Sequence, residues 1–431
     1  MTDIECRDYG CGGSAPRHVQ TIGKLSRAPR RPWFERHDLY WEPELYQFQP
    51  VWKAHGRYAS RRKVNLRGEE VADLVWEPQF QPLGSRLLRH SEHVKGVVAA
   101  LAAFHHMTSG QLAAHLGYPP SKLSRVLLPM YRAGLVERAV YLRQAWQPKS
   151  DTVYRLRAGE QLGRWLEELD DADFLAVALG SPVTREAHFV RHNLLVADLV
   201  LRLEEVAADP IQAVFGERLS GSDRLFPGQS AGRAVYGDAC VVRGDGLRIV
   251  IELVRRQRDR EVEDKMVAWG RLLSRSSLSE QGTVVLFLNA SEQERAHLDR
   301  ATALRRCFAR ALSRERLGTG ETGCQYARSS LYVASWRDWA PAPWQLSTDF
   351  AQMVVCFSTD GKDWRRGALL PGNLGNVLQF TPAEPGRWDK PGRVALDPVA
   401  AAGTSASHHP RFYGLPPWLH QPITGTSPVP G

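Results

Sequence analysis

Apolar side chains recur at helical spacing from about position 91. Val94, Val97, Val98, Leu101 and Phe104 fall on one face and predict a helix ending near His105. Thr108 is a suitable N-cap for a short second helix to Leu116, with Leu112, Ala113 and Leu116 inward. Gly117 interrupts the pattern, and Pro119 or Pro120 opens a third helix with Leu123, Val126, Leu127, Met130 and Tyr131 on one face. Gly134 ends it. Pro129 lies inside this helix, where its ring and missing N–H cost about 3 kcal/mol or force a kink. A kink there would leave only the first two turns as an effective face. Residues 135–142 and 152–156 read as strands around the basic loop 143–151, and residues 159–169 as a closing helix.

After an acidic break at residues 166–173, a second pattern begins near Thr184. Residues 188–206 are helical and residues 211–219 make a strand. The stretch 236–273 then reads as strand, tight turn, strand and amphipathic helix. Asp238 opens its first strand, with Cys240 and Val242 at the same parity. Ile249, Val250, Ile251 and Leu253 make its second strand a nearly continuous apolar run, as expected when both faces are covered. Between them, Arg243-Gly244-Asp245-Gly246 carries hairpin-turn chemistry. The hairpin folds Glu252 back beside Asp238, near enough for two carboxylates to share a divalent ion. A helix over 259–276, a buried strand over 283–288, a helix over 292–312 and a strand over 331–336 complete the order.

The chain of 431 residues has 43% hydrophobic and 24% charged residues, an ordinary globular balance divided over several domains. Its net charge of +9 points to a polyanionic partner, nucleic acid first. Residues 1–85 form a basic, aromatic-rich extension; from Arg7 to Arg67 there are 13 Lys or Arg against five Asp or Glu. Such an arm either follows phosphates or is a solvated extension. Residues 345–431 make a largely irregular extension, with a Pro/Gly/Ala/Ser-rich tail from about 397. No run is long enough to span a membrane. The first residues lack a signal-peptide pattern, and six cysteines without a CxxC pair read as reduced thiols of a cytoplasmic protein. Cys6 and Cys11 with His18 would be at most half a zinc site.

The helix, short helix, turn, helix and two-stranded ribbon of residues 86–170 resemble a winged helix-turn-helix, as does the wording Leu-Ala-Ala-His-Leu-Gly, Ser-Lys-Leu-Ser-Arg and Ala-Gly-Leu-Val-Glu-Arg. That resemblance implies that the third helix enters the major groove of double-stranded DNA with Ser121, Lys122, Ser124 and Arg125. Lys149 on the wing would meet backbone phosphates. The alternative is a small helical packing domain with solvated charges.

The order within residues 184–344 resembles the PD-(D/E)xK nuclease-like α/β core with a central mixed sheet. In that family an Asp begins the second strand, and an acidic residue, a spacer and a Lys lie along the third. Strand parity turns such a Lys to the same face as its acid. Here Asp238 and Glu252 match, but the lysine position is Val254. Lys265 on the following helix is a candidate migrated lysine, and Arg256 has the right parity but lies roughly 13 Å along the strand. Glu217 or Glu204 could complete a metal shell. With the residue 192–199 helix (HNLLVADL) and the ending SLYVASWRDWAPAPW, the two domains together look like the replication-relaxation family of plasmids and integrative elements. Val-Arg-Arg after Glu252-Leu253 departs from that family's usual Asp-Arg. The resemblance implies a DNA-binding protein acting in replication, mobilisation or gene control, with a degenerate nuclease-like domain that also offers a protein-partner surface. Two alternatives stand beside it: a Mg2+-dependent endonuclease using Asp238 and Glu252, and a transcription regulator with a partner-sensing domain.

Overall fold

The computed structural model describes residues 38–41, 50–53, 57–64, 70–77, 80, 92–116, 118–140, 152–170, 174, 177, 189–206, 213–217, 220–226, 234–243, 245–291, 294–343, 345–370, 378 and 380. It is a mixed α/β protein, and its chain divides into two compact units.

One unit is built within residues 44–190. It begins with β1 (Val51–Lys53) and a hairpin of β2 (Arg57–Val64) and β3 (Glu70–Glu77). There follow α1 (Glu92–Phe104), β4 (Met107–Thr108), α2 (Ser109–Leu116) and α3 (Pro120–Arg132). The unit closes with β5 (Val136–Val140), β6 (Val153–Leu156) and α4 (Glu160–Glu167). A small antiparallel sheet runs in the order β1-β5-β6-β4. Thus the strand β1, within the N-terminal extension of the sequence reading, pairs with β5.

The apolar periodicity of α1 to α3 places its residues in a common core: Val94, Val97, Leu101, Leu112, Leu116, Leu123, Leu127 and Met130 are buried. Thr108 caps α2 reciprocally with Gln111. The Gln111 N–H donates to Thr108 Oγ1 at 3.1 Å, and the Thr108 N–H donates to Gln111 Oε1 at 2.9 Å. As the sequence reading has it, α3 runs past Pro129 and stops at Arg132, just before Gly134. Proline removes one intrahelical bond, while Leu123, Val126, Leu127 and Met130 keep the helix face anchored in the core. Gly134 follows at φ +77°, and a Cβ there would come within 2.6 Å of Phe80, so glycine answers both the backbone and the space.

The other unit comprises residues 38–41 and the chain from Arg191 onward. Its elements are α5 (Val190–Val206), β7 (Ala213–Gly216), β8 (Ala239–Val242), β9 (Arg248–Val254) and α6 (Asp259–Leu273). They continue with β10 (Thr283–Asn289), α7 (Glu294–Ala311), α8 (Glu321–Ser329) and β11 (Leu331–Ser335). β12 (Val354–Phe357) and β13 (Arg365–Ala368) lie past residue 344 and extend the same sheet. The sheet order is β13-β12-β11-β10-β9-β8-β7. β9, β10 and β11 run parallel, and β7, β8 and β9 form an antiparallel meander. β9 and β10 are buried at every position. This agrees with their unbroken apolar runs, which fit strands covered on both faces.

Residues 38–41 are fastened to this unit. The Tyr40 ring stacks on Trp336 at 5.1 Å, and its hydroxyl donates to the Ser291 carbonyl at 2.6 Å. Asp38 pairs with Arg202 at 3.1 Å, and Arg202 also donates to Asp198 at 2.9 Å, all with almost no exposure. No helix among the described residues is long and apolar enough to cross a membrane.

Candidate functional site

Two places bring together the residues singled out from the sequence. On α3, the face opposite the buried one carries Ser121, Ser124 and Arg125, all exposed, and Lys122, half-buried. Pro119 in an extended conformation and Pro120 at the first helical position set the start of the helix, so these side chains fall within its first two turns. Lys122 Nζ lies 4.5 Å above the Tyr118 ring, and the Tyr118 hydroxyl meets His93 Nδ1 at 3.2 Å. Arg125 holds no ionic or hydrogen-bonding partner among the described residues. The ribbon is different. Arg155 is paired with Glu137 at 2.7 Å and lies over the Trp52 ring at 3.9 Å; Arg138 lies over Tyr131 at 4.2 Å. Lys149, expected on the wing, lies outside the described residues.

The second place is the carboxylate pair. The register Ala239↔Ile251 puts Asp238 directly opposite Glu252, as the hairpin reading requires. Asp238 Oδ2 accepts the Leu253 N–H at 2.6 Å, and Oδ1 meets His192 Nε2, from α5, at 2.9 Å. Glu252 is buried within β9. Its Oε1 accepts the Trp269 indole N–H at 2.8 Å and its Oε2 accepts Lys265 Nζ at 2.5 Å, both donors coming from α6. One turn of helix separates Lys265 from Trp269, so a single face of α6 serves both oxygens.

Electrostatics follow from this geometry. Burial works to raise the Asp238 carboxyl, but the His192 charge and hydrogen bond, Lys265 and the Leu253 amide outweigh it and hold the group at about 2. Burial pushes Glu252 upward; Lys265 and Trp269 oppose that rise and the Asp238 charge adds to it. Cys240, at the same strand parity as Asp238, has its thiol pushed up to about 12 by burial despite Arg248, which keeps it in the neutral thiol form.

The structure therefore joins Asp238, Glu252 and Lys265, and adds His192 and Trp269, to which the sequence reading gave no role. Val254, at the expected lysine position, is buried, and Arg256 is exposed. Glu217 stands in the turn after β7. Among the described residues no group of three His, Cys, Asp or Glu side chains is placed to hold a metal ion. The side chain of Glu204 lies outside the described residues. Magnesium usually takes one or two free carboxylates together with substrate phosphates. Here all four carboxylate oxygens already accept from nitrogen donors, so the set as arranged does not fit a resident divalent ion. Chemically it can do something else: it closes two charge pairs and ties α5, the β8–β9 hairpin and α6 together.

Comparison with protein-family models, with curated proteins and with solved structures finds no match in any of the three.

Proposed function

We propose that the protein is a double-stranded-DNA-binding protein of the replication-relaxation type, acting in replication, mobilisation or gene control of a plasmid or integrative element. The observation that carries this reading is the outer face of α3. Ser121, Ser124 and Arg125 are exposed there on a short helix whose opposite face is buried, and Arg125 keeps its guanidinium uncommitted among the described residues. Short polar side chains let a helix approach base edges closely, and an arginine reads guanine through two hydrogen bonds. The net charge of +9 suits a phosphate backbone.

The order α5, β7, β8, β9, α6, β10, antiparallel and then parallel, supports a PD-(D/E)xK-like reading of the larger unit. The saturated carboxylates support its role as a scaffold or partner surface rather than a metal-dependent nuclease. Selection from random duplexes, followed by titration of the preferred site, tests the DNA reading. Arg125→Ala is expected to weaken the preferred duplex by about 1–3 kcal/mol and to flatten the difference between preferred and scrambled sequences. If the parent protein selects no sequence, or Arg125→Ala selects the same one with equal affinity, α3 is not a recognition helix.

A further inference from the structure

The β12–β13 hairpin carries a surface that the reading above leaves unused. Its turn is rigid. Asp360 Oδ1 accepts the N–H groups of Lys362 at 2.8 Å and Asp363 at 2.9 Å, and Ser358 Oγ accepts that of Gly361 at 2.8 Å. Gly361, at φ +80°, lies against α7: a Cβ there would come 3.1 Å from the Ala309 Cβ. The Arg328 guanidinium fastens the other side, donating to the Thr359 carbonyl at 3.1 Å.

On this platform stands Trp364, half-buried. Phe308 meets its ring edge-on at 5.0 Å, and the exposed Arg305 guanidinium lies over it at 5.4 Å. Lys362 and Arg365, two residues before and one after Trp364 in the chain, are exposed, as is Arg306 beside Arg305 on α7. None of these four cations forms an ion pair among the described residues, although the charge of Arg305 is felt by the buried Asp338. Their neighbours differ: Arg300 pairs with Asp259, Arg310 and Arg316 with Glu263, and Arg366 with Asp349. The turn's own acids are Asp360 and Asp363, leaving a local excess of 4 − 2 = 2 positive charges.

We propose that this surface binds single-stranded nucleic acid, with a base stacked at Trp364 and backbone phosphates held by Arg305, Lys362 and Arg365. An indole framed by cations is the arrangement that single strands use, because every base offers a π-face and every nucleotide a phosphate. A duplex keeps its bases stacked and would leave the indole idle. A protein partner would want an apolar centre to its contact, and the exposed large apolar side chains among the described residues, Leu128, Phe189 and Tyr236, are elsewhere. The inference does not depend on α3.

Fluorescence anisotropy of a labelled oligo(dT) of about twenty nucleotides, titrated with the full chain, tests it. Trp364→Ala is expected to weaken binding at least about tenfold, and Trp364→Phe to keep most of it. The double variant Lys362→Ala/Arg365→Ala alters only exposed side chains. It should lower the slope of log affinity against log salt by about 1.4, that of two phosphates on a single strand. Arg125→Ala should leave oligo(dT) affinity unchanged, which separates this surface from the duplex reading. Parent-like binding by both Trp364→Ala and the double variant overturns the proposal. So does an equal loss of duplex and single-strand affinity in Trp364→Ala, or capture of polyglutamate but not oligo(dT) by the parent.

Discussion

Arg125 on α3 and Arg202 on α5 carry the same guanidinium and do opposite things with it. Arg125 points to solvent without an ionic partner among the described residues, whereas Arg202 is 1% exposed between Asp38 and Asp198. The carboxylate pair follows Arg202: His192 and Lys265 close it from within the fold. Charge left open is available to a partner; charge closed by the protein is used within the fold. A sequence motif alone does not say which of the two a residue does, and Asp238 with Glu252 shows why. Those two acids accept from Leu253, His192, Trp269 and Lys265.

Arg202 gives the largest expected effect and the bluntest way to break the contrast. Arg202→Met would leave Asp38 and Asp198 buried without their cation, a loss of about 3–5 kcal/mol. Urea denaturation of the variant should show that fall, while sequence preference of the surviving folded fraction stays unchanged. If the variant is as stable as the parent, the buried triad is not what fastens residues 38–41 to this unit.

Asp238 gives a smaller effect with a defined sign. Its folded value of about 2 lies below the usual 3.8, so its stabilisation is fully present above about pH 4 and is lost as pH falls from there towards 2. The difference corresponds to about 2 kcal/mol. Glu252, raised by burial, runs the other way: its contribution is complete below about pH 4.5 and declines as pH rises through its folded value. Denaturant midpoints between pH 2 and 5, compared with those of Asp238→Asn, isolate the first window. A parent and variant with the same pH dependence would mean that His192 does not hold the Asp238 charge.

The facing of Asp238 and Glu252 was legible because both lie on one short hairpin, where register and parity are local properties. Lys265 was within reach for the same reason, on the helix that follows. His192, Trp269 and the Asp38–Arg202 pair were not, because they depend on how α5, α6 and a distant N-terminal segment pack on the sheet, and no sequence period records that. Pro129 is a related case. Local propensity priced one lost hydrogen bond, while the buried face of α3 decided the outcome. β13 also escaped: Arg365-Arg366-Gly367-Ala368 lacks strand-like side chains, and only pairing with β12 makes it a strand.

The smallest effect sharpens the comparison from the open side. Thr108 and Gln111 satisfy each other's backbone N–H groups at the start of α2, the helix that packs beneath α3. Thr108→Ala removes the hydroxyl acceptor and should cost about 1 kcal/mol. Neither residue offers its polar group to solvent, so the loss belongs to folding. Thermal melting should therefore shift downward, while duplex affinity measured well below the transition changes less than in Arg125→Ala. A Thr108→Ala protein that melts like the parent but binds DNA as poorly as Arg125→Ala would place the hydroxyl at the interface, and the division between open and closed polar groups would have to be redrawn there.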